Sequence, residues 1–239
     1  MALLSGGHLH AQDNSSAGKN IKLVYKYQKR VADKLRHFGD LKYQELLDSD
    51  YLFGASSELS TSTGLSYDLA QWMRVEGGVG LYYTWRPDIS DIFEFRLWQA
   101  ATFDWPDVTG GLRRYVVHHR FMLEERFKNV DDYDMQLRGR YRLSFSYPIN
   151  SYTVEVGAFY LPLSAEFYVD GDDTEQFYAQ KAQFTAGLGY VLDKTWSLEF
   201  RLALQETRDT VGTDFQRSNY FFELCVKTSI LIRDLVKSR

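Results

Sequence analysis

The sequence predicts an all-β protein: a single antiparallel, up-and-down transmembrane β-barrel of about ten strands, with twelve as the alternative. Three observations support this fold class. Apolar and polar residues alternate with a period of two through most of the chain, aromatic residues make up 16% of it, and no run of 18 apolar residues exists. The last observation excludes a transmembrane helix. It remains compatible with a transmembrane barrel, because alternating strands give a barrel the average hydropathy of a soluble protein.

The clearest strand lies at residues 135–147. Odd positions carry mainly large apolar side chains, whereas even positions carry three arginines between a glutamine and two serines. Period-two alternation over thirteen residues places one apolar and one polar face on a strand. A helix would mix the arginines with the aromatic residues on a single face, so the strand is favoured.

The same alternation predicts the remaining strands. It is strong at residues 73–85, 177–191, 196–205 and 217–230, and weaker at 36–47, 55–67, 92–104, 112–127 and 152–168. Because a proline cannot donate a ladder hydrogen bond, Pro162 requires a bulge or a locally unpaired position.

The connections are predicted to alternate in length. Short turns are expected near residues 68–71, 106–111, 148–151 and 192–195, and longer or more acidic loops near 48–51, 86–91, 128–132, 169–176 and 206–215. Outer-membrane barrels have short periplasmic turns and longer external loops. This order predicts ten strands with both ends of the barrel in the periplasm.

The predicted organisation has four parts. Residues 1–19 form a signal-peptide remnant and flexible lead-in, residues 20–35 a periplasmic helix or an extra strand, residues 36–231 the barrel, and residues 232–239 a periplasmic tail. Residues 2–11 are weakly apolar and end in Ala11, which is typical of a secretory signal at its cleavage site. A basic region before them is missing, so a disordered tail is the alternative.

Volume decides which face points outward. About five large apolar side chains per strand cannot fit inside a ten-stranded barrel, so they are expected to face lipid, with the polar residues in the lumen. Aromatic residues flank both sets of connections, which predicts two interfacial girdles. The girdle residues are Tyr67, Trp72, Tyr83, Trp85, Tyr147, Tyr190 and Trp196.

Several short motifs resemble a bacterial domain-of-unknown-function family of outer-membrane β-barrels. They lie at residues 63–67 (TGLSY), 72–83, 119–127 (HRFMLEERF), 138–143 (RGRYRL), 165–167 (AEF) and 186–190 (AGLGY). The resemblance extends over most of residues 36–231 and implies an outer-membrane location without any established activity or catalytic residue. Outer-membrane barrels often end in phenylalanine, whereas this chain ends in Arg239.

Charged residues on the polar face form the candidate site, a lumen charge network. Its predicted members are Arg74, Glu76, Glu94, Arg96, Arg120, Glu124, Arg126, Arg138, Arg140, Arg142, Glu166, Lys181, Glu199, Arg201, Arg217, Glu223 and Lys227. Because unpaired charges in a narrow interior are costly, we expect ion pairs. Glu124 and Glu166 are the expected partners of the three arginines at residues 138–142.

Four functions fit this pattern. The leading hypothesis is a small barrel with a structural or interaction role and a lumen filled by arginine and glutamate. The first alternative is a narrow anion-preferring pore or transport component. The second is a lipid-modifying enzyme using His118, Ser164 and Glu166, and a soluble ligand-binding barrel is a fourth possibility from another class.

Composition limits the partners. The net charge of −4 gives no indication of a nucleic-acid partner. One cysteine, Cys225, cannot form a disulfide or a cysteine metal site within the chain. We expect no metal and no cofactor, outer-membrane lipid as the surroundings, and the barrel-assembly machinery as a partner during biogenesis.

Overall fold

The computed structural model describes residues 18–47, 56–87, 90–105, 116–171, 179–208 and 214–230. Within these ranges eleven strands close into one barrel, each hydrogen-bonded to two neighbours. The strands are β1 (Gly18–Arg30), β2 (Leu35–Leu47), β3 (Ser56–Ala70), β4 (Met73–Trp85), β5 (Ile92–Trp105), β6 (Val117–Lys128), β7 (Met135–Pro148), β8 (Phe159–Asp170), β9 (Lys181–Val191), β10 (Trp196–Thr207) and β11 (Gln216–Ile230). Within the same ranges, no helix is long and apolar enough to cross a membrane.

The barrel closes through a parallel pair. Consecutive strands are antiparallel, whereas β1 and β11 run parallel, with Val24 opposite Cys225. An odd number of up-and-down strands requires this, because the first and last strands then point the same way. The eleven strands of the described residues lie between the predicted ten and the alternative of twelve. The expected even number is wrong, and the fully antiparallel closure is replaced by a parallel seam, formed by β1 and β11.

The extra strand is β1, so the barrel begins at Gly18 rather than at residue 36. Within residues 20–35 the structure therefore contains the extra strand and not the periplasmic helix. Ile21, Leu23 and Tyr25 alternate with Lys22 and Val24, and this period-two pattern outweighs the helical spacing of a few apolar residues. The predicted lead-in and tail lie outside the described residues, except for Gly18 and Lys19 in β1.

Two connections are longer than predicted. Chain segments 106–116 and 149–158 separate β5 from β6 and β7 from β8, because β6 and β8 begin five and seven residues later than the alternation suggested. We call the two ends of the barrel the Gly18 end, where β1 begins, and the Ile230 end, where β11 finishes. Both ends therefore carry long connections, and the predicted contrast between short turns and long loops does not hold.

Pro162 has the predicted effect on its strand. Pairing between β8 and β9 runs from Phe159 and Tyr160 to Leu163, with no partner assigned to the two residues between them. The missing proline N–H leaves a locally unpaired position without changing the register.

The two faces of the wall are chemically distinct. Large apolar side chains are solvent-exposed on every strand, as expected if they face outward. Examples from β1 to β11 in order are Ile21, Leu41, Leu59, Val79, Phe93, Phe121, Met135, Leu161, Phe184, Phe200 and Phe222. The opposite parity, which includes Arg140 and Arg201, lines the interior. The barrel is thus apolar outside and charged inside.

Candidate functional site: the charged lumen

The interior holds a cavity of about 830 Å³ to which all eleven strands contribute. Gln44, Lys181 and Gln205 line it near the Gly18 end, and Thr195 and Ser229 line it near the Ile230 end. The cavity therefore extends along most of the barrel.

Cationic side chains dominate the lining. Thirteen lysines and arginines border the cavity, against six carboxylates. The cations are Lys22, Lys26, Arg36, Lys42, Arg74, Arg96, Arg120, Arg138, Arg140, Arg142, Lys181, Arg201 and Lys227, and the carboxylates are Asp40, Glu58, Glu76, Glu124, Glu166 and Glu223. Carboxylates that do not border the cavity also pair with some of these cations. They are Asp68, Asp104 and Asp170 at strand ends, and the buried Glu94 and Glu199. The lumen is cationic although the whole chain carries a net charge of −4.

Three arginines on β7 form a ladder on one wall. Arg140 donates to Glu124 on β6 (Nη1 to Oε1, 2.5 Å) and to Glu166 on β8 (Nη2 to Oε1, 2.6 Å). Arg142 donates to the other oxygen of Glu166 at 2.6 Å. Arg138 pairs instead with Asp170 at the end of β8. Alternation puts the arginines on one face, and register brings the carboxylates of both neighbours to them.

A second cluster joins β8, β10 and β11. Glu199 is fully buried and accepts hydrogen bonds from the Tyr160 hydroxyl (2.8 Å) and from Lys227 (2.5 Å). Arg201 lies 3.2 Å from Glu223, which also contacts Lys22 across the seam at 3.4 Å. Glu223 thus links three strands around the seam.

The ionic contacts run along the wall. Their partners lie on the same strand or on adjacent strands, as when Arg126 binds Glu94 (Nη2 to Oε2, 3.1 Å). The exception is Arg120, which reaches Glu76 two strands away at 2.8 Å. Among the described residues, no ion pair joins opposite walls of the barrel. The ion pairs therefore form along the wall, and a cavity remains in the interior.

An aromatic contact between Trp98 and Phe38 also borders the cavity. The ring of Trp98 lies over the glycines of β3 and β4 and reaches Phe38, with the ring centroids 5.7 Å apart. A Cβ at Gly64 or Gly78 would come within 3 Å of the Trp98 ring. These glycines make room for the indole.

Most of the predicted network residues line the cavity. Three others, Glu94, Arg126 and Glu199, are buried and pair with wall residues rather than bordering the cavity. Arg217 was assigned to the lumen incorrectly. The register shifts by one residue between Gln205 and Glu206, and Arg217 is exposed with its guanidinium bound to the Tyr220 hydroxyl at 3.0 Å.

The girdle residues lie near the two ends of the barrel. Tyr67, Trp72, Tyr190 and Trp196 are exposed near the Ile230 end, as is Trp85 near the Gly18 end. Tyr147 is partly exposed near the Ile230 end, and Tyr83 is partly exposed near the Gly18 end.

Sequence reasoning missed several lumen residues. On β1 and β2 these are Lys22, Lys26, Arg36, Asp40 and Lys42, and at strand ends they are Asp68, Asp104 and Asp170. The alternation of β1 could have revealed the lysines. The aspartates pair with Arg36, Arg74 and Arg138, and finding those pairs requires a register that depends on loop lengths.

The catalytic arrangement considered for an enzyme is not formed. Glu166 is bound to arginines and to the Tyr168 hydroxyl, whereas the Nδ1 atom of His118 lies 2.6 Å from Asp104. Asp104 also binds Arg74 at 3.2 Å. His118 borders a second cavity of about 470 Å³ with Ser146. The described part of the chain holds no group of three potential metal ligands.

Two loops are tied together at the Gly18 end. Asn129 donates to the carbonyl of Asp91 at 3.1 Å and accepts from the backbone N–H of Phe93 at 2.9 Å. The Asp91 carboxylate accepts bonds from the Tyr83 hydroxyl and the Arg86 backbone N–H, which lower the pKa of Asp91 below its ordinary value. These contacts fix this side of the rim.

Comparison with known proteins places the chain in a family. No curated protein matches the sequence. Among solved structures, an anion-selective porin from Comamonas acidovorans matches with a TM-score of 0.35 and 13% sequence identity, over 80% of this chain and 54% of the porin chain. This chain thus spans about half the length of that porin. Residues 18–216 match the family model DUF2490, described as protein of unknown function, and the chain belongs to this family.

Proposed function

We propose that this protein is an outer-membrane β-barrel whose lumen passes small anions. The observation that carries the proposal is the arrangement of the lumen charges. They are paired along the wall, they leave a long cavity, and cations outnumber carboxylates around it. Of the functions that fit the sequence, this favours the pore over a lumen plugged by ion pairs.

The outer face supports a place in a membrane. Contiguous apolar surface on a soluble monomer seldom exceeds a few hundred Å², yet here exposed large apolar side chains cover every strand. Strands of 11 to 15 residues that rise ~3.3 Å per residue and tilt ~40° give a barrel roughly 30 Å tall. That height accommodates the ~25 Å apolar band of outer-membrane barrels. Lipid is then the surrounding solvent, and the barrel-assembly machinery is the expected partner during insertion.

The lumen supports selectivity for anions. A cleft lined by one sign of charge between low-dielectric walls concentrates ions of the opposite sign. When Arg126 and the carboxylates outside the lining, namely Glu94, Glu199, Asp68, Asp104 and Asp170, are included, cations still outnumber carboxylates by fourteen to eleven. Anions should therefore enter more readily than cations.

The cavity volume favours small solutes. Spread along a barrel of roughly 30 Å, the 830 Å³ of the cavity gives a mean cross-section of about 25–30 Å². A halide ion with part of its water shell fits that space. We therefore propose inorganic anions, or organic anions of similar width, as the solutes.

Planar lipid bilayers test this proposal. The purified full-length chain is inserted into a neutral bilayer, and the reversal potential is measured across a tenfold gradient of potassium chloride. We expect discrete conductance steps and a reversal potential with the sign of the chloride equilibrium potential. A protein that gives no conductance, although its heat-modifiable gel mobility shows that it is folded, would indicate a structural barrel instead of a pore. A reversal potential with the sign of the potassium equilibrium potential would reject anion preference.

A further inference from the structure

Lys26 differs from nearly all other cations of the lumen. Eleven of the thirteen lining cations have a carboxylate oxygen within 4 Å, whereas among the described residues Lys26 and Lys181 have none. Lys181 lies against the ring of Tyr168, with its Nζ 5.1 Å from the ring centroid. Lys26 has no described hydrogen bond, ion pair or aromatic contact of this kind.

The neighbours of Lys26 are already engaged. Its partners in register are Lys227 across the seam and Asp40 on β2. Asp40 contacts Lys42 at 2.9 Å and accepts a bond from Ser62 at 2.9 Å, and Lys227 binds Glu199. Lys26 therefore stands between a cation and a carboxylate that serves another lysine.

The strands beside β1 and the wall opposite it both add positive charge near Lys26. In a ring of eleven strands, β1 and β2 lie across the lumen from β6 and β7. The charges of Arg201, Lys227 and Arg142 repel the ammonium of Lys26, and the charge of Arg140 repels Lys42. Glu166, Glu223 and Glu199 are bound to their own cations in this part of the lumen.

We propose that Lys26 is the specificity-determining residue of the passage and holds one small monovalent anion of halide size in the lumen. An ammonium without an ion-pair partner of its own inside a barrel is costly, because Asp40 and Glu223 act on it only from beyond contact distance while each binds other cations. A single mobile anion removes that cost. One negative charge is enough, because the surrounding cations are paired. The inference rests on the proposed function and adds to it the position and the valence of the bound solute.

Bromide diffraction tests the binding directly. Crystals of the full-length protein in detergent are soaked in sodium bromide, and anomalous scattering locates the ions in wild type and in the variants Lys26→Gln, Lys26→Arg and Lys29→Gln. Lys29 is the matched control, because it lies on the same strand with opposite parity and is exposed. We expect bromide in hydrogen-bond contact with the Lys26 ammonium, retained in K26R and K29Q and lost in K26Q.

Bilayer recordings on the same variants separate this inference from the proposed function. We expect K26Q to lower the ratio of chloride to potassium permeability about threefold, with K29Q unchanged. Wild type that prefers anions but binds no bromide at Lys26 would overturn the inference and leave the pore intact. Bromide that depends on Lys26 in a barrel without anion preference would support the site and reject the pore.

Discussion

The inner and outer faces of the barrel wall use side chains in opposite ways. On β7, Arg138, Arg140 and Arg142 point inward, and each is tied to a carboxylate of a neighbouring strand. Leu137, Gly139 and Tyr141 alternate with these arginines along the strand and have the outward parity. Substitutions on the inner face should therefore change stability by removing ion-pair partners. Those on the outer face should change stability according to whether the surrounding solvent is water or lipid.

Breaking the inner network should have the largest effect. Glu166→Gln removes the carboxylate that pairs with Arg142 and one of the two that pair with Arg140, and Glu166 is almost fully buried. We expect the free energy of unfolding in lipid vesicles to fall by about 3–5 kcal/mol, because two guanidinium groups lose a buried counter-charge. Urea titration followed by tryptophan fluorescence measures it.

Glu58→Gln is the matched control for that experiment. Glu58 borders the same cavity but has no ion pair among the described residues. Its loss should change stability by less than about 0.5 kcal/mol. Equal losses in both variants would mean that pairing along the wall contributes nothing specific.

A charge on the outer face tests its surroundings. Phe200 on β10 is 60% exposed, so Phe200→Arg should be nearly neutral in water. In a bilayer it should cost about 2–4 kcal/mol near the midplane. The free energy of unfolding measured in lipid vesicles distinguishes a lipid-facing from a water-facing Phe200. Val130→Arg, in an exposed connection between strands, is the control. A Phe200→Arg protein as stable as the control would contradict a lipid-facing exterior.

The glycines that lie under aromatic rings offer a smaller test of the inner face. Tyr160 lies over Gly189, and a Cβ there would come within 2.3 Å of the ring. We expect Gly189→Ala to destabilise the barrel by about 1–3 kcal/mol, since the ring must move from Glu199. Gly77→Ala is the control, because its nearest atom lies at 3.8 Å. Similar values for both would show that the ring does not need the glycine.

The smallest expected effect concerns selectivity. Glu76→Gln leaves Arg120 as a free cation at the cavity, so the ratio of chloride to potassium permeability should rise about twofold. Glu125→Gln changes a carboxylate of the outward parity on β6 and should leave the ratio unchanged. A fall in the ratio for Glu76→Gln would show that the lining does not set the preference.

Alternation made most of the wall predictable, because side-chain parity is a local property. It gave β7 almost to the residue and placed the arginines with Glu124 and Glu166 as neighbours. Lys22 and Lys26 were missed because the apolar residues of segment 20–35 also have helical spacing, so the sequence left both a helix and an extra strand open there.

The remaining pairs depend on information that the sequence does not carry locally. Asp104, Asp170 and Asp68 meet their arginines at strand ends, where one residue of register decides the partner. The bulge in β10 and β11 moves Arg217 out of the lumen for the same reason. The parallel seam follows from the odd number of strands. Assigning one segment, residues 20–35, as a strand or not decides whether that number is odd or even.

Thiol labelling tests the central claim, an open and cationic lumen, most directly. Ser164 borders the cavity, so Ser164→Cys in a Cys225→Ser background places one thiol inside the barrel. The account predicts that the anionic sulfonatoethyl methanethiosulfonate modifies this thiol about tenfold faster than the cationic aminoethyl reagent, with the difference shrinking at high salt. A folded protein that reacts with neither reagent, or faster with the cationic one, would contradict the account.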